Sequence, residues 1–163
     1  MILIALGGNL DSPRFGPPRT TLVAALDALA ARGIRIVARS RWYRTAPVPA
    51  ADQPWFVNAV VRVDTALEPS ALLAVLHDVE RAFGRERGVR NAARILDLDL
   101  IDHDGRIVDT PALTLPHPRL ADRAFVLLPL RDVAPHWCDP RDGRSIDALI
   151  AALPPDQAVE VDG

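Results

Sequence analysis

Residues 2–6 form an unbroken apolar run that stops at Gly7-Gly8, which predicts a first strand. Pro17-Pro18 then precede a stretch in which Leu22, Leu26 and Leu29 recur at helical spacing. A helix is predicted over 20–32, capped by Thr20 or Thr21 and stopped by Gly33. Over 34–44, Ile34, Ile36 and Ala38 alternate with Arg35 and Arg39, the two-residue period of a strand. Residues 46–54 hold Pro47, Pro49 and Pro54 without any period and read as a stiff loop.

The clearest alternation runs over 55–65. Val57, Ala59, Val61 and Val63 share one face, and Phe56, Asn58 and Arg62 the other. A helix follows over 69–83, with Leu72, Leu76, Val79 and Phe83 as its stripe, Pro69 in the first turn and Gly84 after the end. Residues 85–94 carry Arg85, Glu86, Arg87, Arg90 and Arg94 with no apolar period, the pattern of a mobile surface loop. A strand over 95–102 is followed by Asp104-Gly105, a hairpin signal that predicts a partner near Ile107-Val108. Residues 123–133 are mixed, and a last helix is predicted near 145–153.

The order β-α-β-β-α-β over the first two thirds is that of a ferredoxin-like split unit. It predicts an α+β fold: an antiparallel sheet with both long helices on one face. The C-terminal third then covers the other face, giving a three-layer α-β-α sandwich. A length of 163 residues, with 49% hydrophobic and 25% charged positions, suits one folded domain over 1–163.

Charge and composition narrow the chemistry. The net charge of -2 argues against nucleic acid as a partner. No apolar run reaches the roughly 18 residues that span a bilayer. The single cysteine, Cys138, excludes an internal disulfide, and Met1–Leu6 reads as a strand rather than a signal peptide, so a cytoplasmic location is expected. The 19 basic residues are all arginine, which excludes the lysine-dependent phosphate loop. Any polyphosphate must be held by arginine forks, backbone amides and metal ions.

Against that background Arg94-Ile95-Leu96-Asp97-Leu98-Asp99-Leu100 stands out. On a strand, Asp97 and Asp99 point the same way, roughly 7 Å apart, while the three leucines enter the opposite layer. Two aligned carboxylates call for a shared proton or a cation, and magnesium suits them because it leaves positions for water and phosphate oxygens. The alternative is a plain polar strand face or pairing with Arg94. Phe56 and Asn58 on one strand face suit a flat heterocycle, one stacking and the other bonding along its edge. His117, between Pro116 and Pro118, has a stiff backbone and can donate to a phosphate, a purely structural role being the alternative for a lone histidine. A two-metal nucleotidyl transferase or cyclase, and a nucleotide- or RNA-binding module on the same fold, stay open at this point.

These pieces occur in a specific order. They are Ala5-Leu6-Gly7-Gly8-Asn9-Leu10, Tyr43-Arg44-Thr45-Ala46-Pro47, Asp52-Gln53-Pro54-Trp55-Phe56-Val57-Asn58, Glu80-Arg81-Ala82-Phe83-Gly84-Arg85, Arg94 through Asp99, and Pro116-His117 followed by Arg123-Ala124-Phe125. From about residue 2 to about 140 the chain resembles the 6-hydroxymethyl-7,8-dihydropterin pyrophosphokinases of folate synthesis. The resemblance implies transfer of a diphosphate from ATP to the pterin hydroxymethyl group, with two magnesium ions on Asp97 and Asp99. A monomer is expected. The resemblance also implies a pterin pocket of Gly8, Thr45, Pro47, Val48, Phe56, Asn58 and Phe125. It assigns ATP contacts to Glu80, Arg85, Arg90, Arg94, Leu100, Thr114, His117 and Arg123, and catalytic arginines at 85 and 87, Arg85 and Arg87. Arg90-Asn91-Ala92-Ala93-Arg94 departs from the family's Arg-Trp-Gly-Pro-Arg, keeping its outer arginines only.

Overall fold

A computed structural model describes residues 1–47, 53–84 and 94–162. Strand β1 (Ile2–Gly8) is buried along its whole length. It pairs antiparallel with β4 (Phe56–Asp64) on one side and β5 (Asp97–His103) on the other. Helices α1 (Pro18–Ala31) and α2 (Pro69–Ala82) cover one face of this sheet. Leu22 and Leu29 from α1, and Leu72, Leu76 and Val79 from α2, pack on Ile4, Val61 and Leu98. Helices α3 (Ala124–Val133) and α4 (Ile146–Ala151) cover the other face, where Leu127 and Trp137 meet Leu3, Val60 and Ile101. This is the ferredoxin-like core within a three-layer sandwich.

Four local features differ from the sequence expectations. The single strand expected over 34–44 is two, β2 (Arg35–Arg39) and β3 (Tyr43–Thr45), lying end to end along β4. The register of β2 slips between Ile36 and Ala38, and this bulge turns Ala38 to the α3 side while Ile36 stays on the α1 side. Neither Thr20 nor Thr21 caps α1. The helix starts earlier, at Pro18, because proline's fixed φ suits the first turn, and Thr21 lies buried inside it.

Asp104 and Gly105 do turn with positive φ, but no hairpin with β5 follows. Strand β6 (Val108–Asp109) pairs instead with β7 (Thr114–Leu115). The outer edge of β5 is already engaged: Leu98 N–H donates to Glu80 Oε2 at 2.9 Å, and His117 N–H to Ile101 O at 3.0 Å. Finally, residues 124–133 are helical despite Pro129, which interrupts the pattern and removes one helix donor. A short strand, β8 (Val159–Val161), extends the sheet beyond β3. Among the described residues no helix is long and apolar enough to cross a membrane.

Candidate functional site

Strand pairing sets up the site. Gly7 on β1 is flanked by Asn58 on β4 and Asp97 on β5, and two residues earlier Ala5 is flanked by Val60 and Asp99. Partners across a strand share a face, so the two aspartates and Asn58 rise from the same side, the side of α3. Neighbouring strands lie about 4.8 Å apart, which sets Asp97 roughly 10 Å from Asn58 across the row. Only glycine fits between them: a Cβ at Gly7 would meet Asn58 Oδ1 at 2.7 Å. Asn58 is buried, and its Nδ2 donates to Thr45 Oγ1 at 2.7 Å, which fixes the amide plane.

A cavity of about 390 Å³ opens over this row. Its floor includes Ala5, Gly7 and Asn58. Phe56 and Thr45, cross-strand partners, supply one wall, and Phe125, from the first turn of α3, supplies another. The Arg123 guanidinium lies 5.3 Å from the centre of the Phe125 ring, so the charged and aromatic groups are set together. Arg94, Asp97, Asp99 and His117 line the polar end.

His117 Nδ1 accepts the Arg119 N–H at 3.2 Å. Burial, and then Arg123, push its pKa down from the usual imidazole value to about 4, with Asp97 pulling the other way. The ring is therefore neutral near pH 7. With Nδ1 accepting, its proton sits on Nε2, a donor suited to a phosphate oxygen.

The turn after β1 holds the segment leading into Asp97. Asn9 and Leu10 N–H groups both donate to Arg94 O, and Asn9 Oδ1 accepts the Arg94 N–H at 2.8 Å. Asn9 Nδ2 also donates to Gln53 Oε1 and Pro54 O, at 2.8 and 2.9 Å. Gly8 is needed for this approach, since a Cβ there would lie 2.5 Å from Ile95 O. Asn9 had no role in the sequence analysis beyond its place in a motif.

Nine of the expected site residues thus meet in one cavity: Thr45, Phe56, Asn58 and Phe125 with Arg94, Asp97, Asp99, His117 and Arg123. Gly8, Pro47, Glu80, Leu100 and Thr114 do not line it. Glu80 and Leu100 have their side chains on the α2 side of the sheet, and Thr114 pairs with Asp109. Val48, Arg85, Arg87 and Arg90 lie outside the described residues. Arg119, Asp122 and Gln157 line the cavity but carried no signal in the sequence apart from flanking His117 and Arg123 in the first two cases.

The donor set fits magnesium. Asp97 and Asp99 offer hard oxygen ligands on one strand face, half-buried and open to the cavity. Two carboxylates fill only part of magnesium's octahedral shell and leave positions for water and phosphate.

A family model described as 7,8-dihydro-6-hydroxymethylpterin-pyrophosphokinase (HPPK) matches residues 3–135. The chain belongs to this family. It is 40% identical to the 2-amino-4-hydroxy-6-hydroxymethyldihydropteridine pyrophosphokinase of Methylorubrum extorquens, over 93% of this chain and 92% of that protein. It is 43% identical to the protein of the same description from Pseudomonas aeruginosa, over 94% and 91%. The fold matches a crystal structure of a Plasmodium falciparum HPPK-DHPS triple mutant with a TM-score of 0.71 at 15% identity, covering 92% of this chain and 43% of that one. The pyrophosphokinase family's fold is therefore present here with all its layers.

Proposed function

We propose that the cavity binds ATP and 6-hydroxymethyl-7,8-dihydropterin side by side and transfers diphosphate from one to the other. The reaction makes the chain an ATP-dependent pyrophosphokinase of folate biosynthesis. The observation that carries this reading is the row Asp97–Gly7–Asn58, which sets a heterocycle-binding amide two strands from a pair of carboxylates.

The pterin ring lies between Phe56 and Phe125, and its amide edge meets Asn58 and Thr45. Gly8 and Pro47 stand next in the chain to the lining residues Gly7 and Ala46, and with Val48 they are assigned to the rim of that pocket. The nucleotide phosphates lie toward Arg94, His117 and Arg123, with Arg85 and Arg90 from the arginine segment. Leu100 keeps its side chain in the core, so the base meets the backbone edge of β5 there, flanked by Glu80 and Thr114.

Asp97 and Asp99 would hold two magnesium ions, which would supply neutralisation of the phosphate charge. The pterin hydroxyl oxygen attacks the β-phosphorus, and the bond from that phosphorus to the α,β-bridging oxygen breaks. AMP leaves with the bridging oxygen, and the hydroxyl proton passes to solvent. The protein's part is positioning and charge: Arg85, Arg87, Arg94 and Arg123 meet developing charge on the oxygens, and the aromatic walls exclude water. One chain carries every group the reaction uses, so the reading needs only a monomer of one domain. The same reading assigns the enzyme to the cytoplasm, as expected from its sequence.

The test is AMP release from ATP with magnesium and the reduced pterin, against a pterin-free control. One AMP per pterin diphosphate is expected. Release of ADP, or AMP at the control level, sinks the proposal.

A further inference from the structure

Helix α3 carries Phe125 and follows Arg123, but it does not cap itself. Its N-cap residue, Arg123, forms no side-chain cap, and arginine has no oxygen with which to form one. The acceptor arrives from 33 residues downstream. Gln157 Oε1 accepts the Ala124 N–H at 2.9 Å, and Gln157 Nε2 donates to Asp122 O at 2.6 Å. A single amide therefore clips the backbone on both sides of Arg123, and the same residue lines the cavity.

The segment carrying Gln157 is anchored on the opposite wall. Ala46 N–H donates to Ala158 O at 3.1 Å, and Val159 pairs with Thr45. Residues 157–159 thus run from the wall that bears Phe125 to the wall that bears Thr45. The far end of α3 has its own anchor, since Asp132 accepts the Tyr43 hydroxyl at 2.8 Å and Arg41 Nε at 3.2 Å. With that anchor and its apolar face in place, the helix stays docked without Gln157. At its first turn, Gln157 supplies the side-chain bonds to the backbone.

The geometry points to Gln157 as a positioning residue of the pterin pocket, contributed by a C-terminal segment beyond the 3–135 span that the family model matches. It sets the spacing between Phe125 and Thr45 and the direction of Arg123. This inference rests on the pterin reading above.

Calorimetry with the reduced pterin, at saturating non-hydrolysable ATP analogue and magnesium, tests it. Gln157→Ala should raise the pterin Kd about five- to tenfold, the loss of one or two ordered hydrogen bonds. Gln157→Glu keeps the acceptor for Ala124 but turns the donor toward Asp122 O into a second oxygen, so it should recover only part of that loss. Gln157→Met keeps the length, loses both bonds and carries the same expectation as Ala should the alanine variant not fold. A tail that is merely structural would lower Tm and leave the pterin Kd within about twofold of the parent, and that result overturns the inference. A parent protein that binds the ATP analogue but no pterin overturns the functional reading instead, and this inference with it.

Discussion

Asn58 lies directly across from Gly7 on the neighbouring strand, and a Cβ at Gly7 would stand 2.7 Å from its Oδ1. The Asn58 amide therefore leans over a backbone with no side chain, toward the strand that carries Asp97. The groups proposed for the heterocycle and for the metal adjoin because the residue between them carries no side chain.

Gly7→Ala should consequently displace Asn58 and break its 2.7 Å bond to Thr45. The obstructed atom belongs to a side chain, so the fold should survive. Pterin affinity should fall by about tenfold or more, since a buried amide loses its orientation. Calorimetry with pterin and with an ATP analogue checks this, the nucleotide being the less affected. Gly8→Ala differs, because its Cβ would meet backbone, Ile95 O at 2.5 Å. That change should cost about 1–3 kcal/mol of stability, read by urea unfolding.

Removing either carboxylate should stop the chemistry. Asp97→Asn or Asp99→Asn should lower AMP release by about a hundredfold or more at saturating magnesium, as several kcal/mol of charge stabilisation are lost. Circular dichroism should remain that of the parent. Turnover close to the parent's in either variant would remove magnesium from these residues.

Phe56→Ala and Phe125→Ala should each weaken pterin binding by about 0.5–1.5 kcal/mol from aromatic packing, plus the apolar burial lost. Both rings are half-buried at the cavity, so neither change should unfold the protein. A variant that lost ATP binding but kept pterin binding would show the two substrates exchanged in the cavity.

The arginine segment should act in the chemical step. The double change Arg85→Ala and Arg87→Ala should slow single-turnover transfer far more than it weakens ATP binding. Equal single-turnover rates in the double variant and the parent would reduce the segment to a charged surface turn.

Stability should decline in acid through Asp132. Burial pushes its carboxyl up, but hydrogen bonds from Arg41 and Tyr43 outweigh this and hold it below the ordinary carboxylate range. A carboxylate depressed on folding stabilises above its unfolded pKa, near 3.9, and loses that contribution as pH falls through the folded value. The Tm gap between the parent and Asp132→Asn should be widest near neutral pH and close below about pH 4. A gap that stays constant down to pH 2 would assign the effect to packing alone.

Periodicity alone determined the core of the fold. Alternation over Val57 to Val63 and the stripes Leu22–Leu29 and Leu72–Val79 read directly, because burial on one face imposes the period of the element. The same rule put Asp97 and Asp99 on one face with the leucines on the other. Features that break a period were not legible: the bulge that turns Ala38 over, the helix that runs through Pro129, and a last strand of three residues. Motif spacing identified the family and nine of the residues that line the cavity, but not what joins its parts. Which strand lies beside which is a long-range choice made by packing, so the row from Asp97 through Gly7 to Asn58 exists only once β1 is paired on both edges. The cap that Gln157 places on α3 spans 33 residues. Local sequence carries no signal for it, because the acceptor meets its N–H group only after the tail has joined the sheet beside β3.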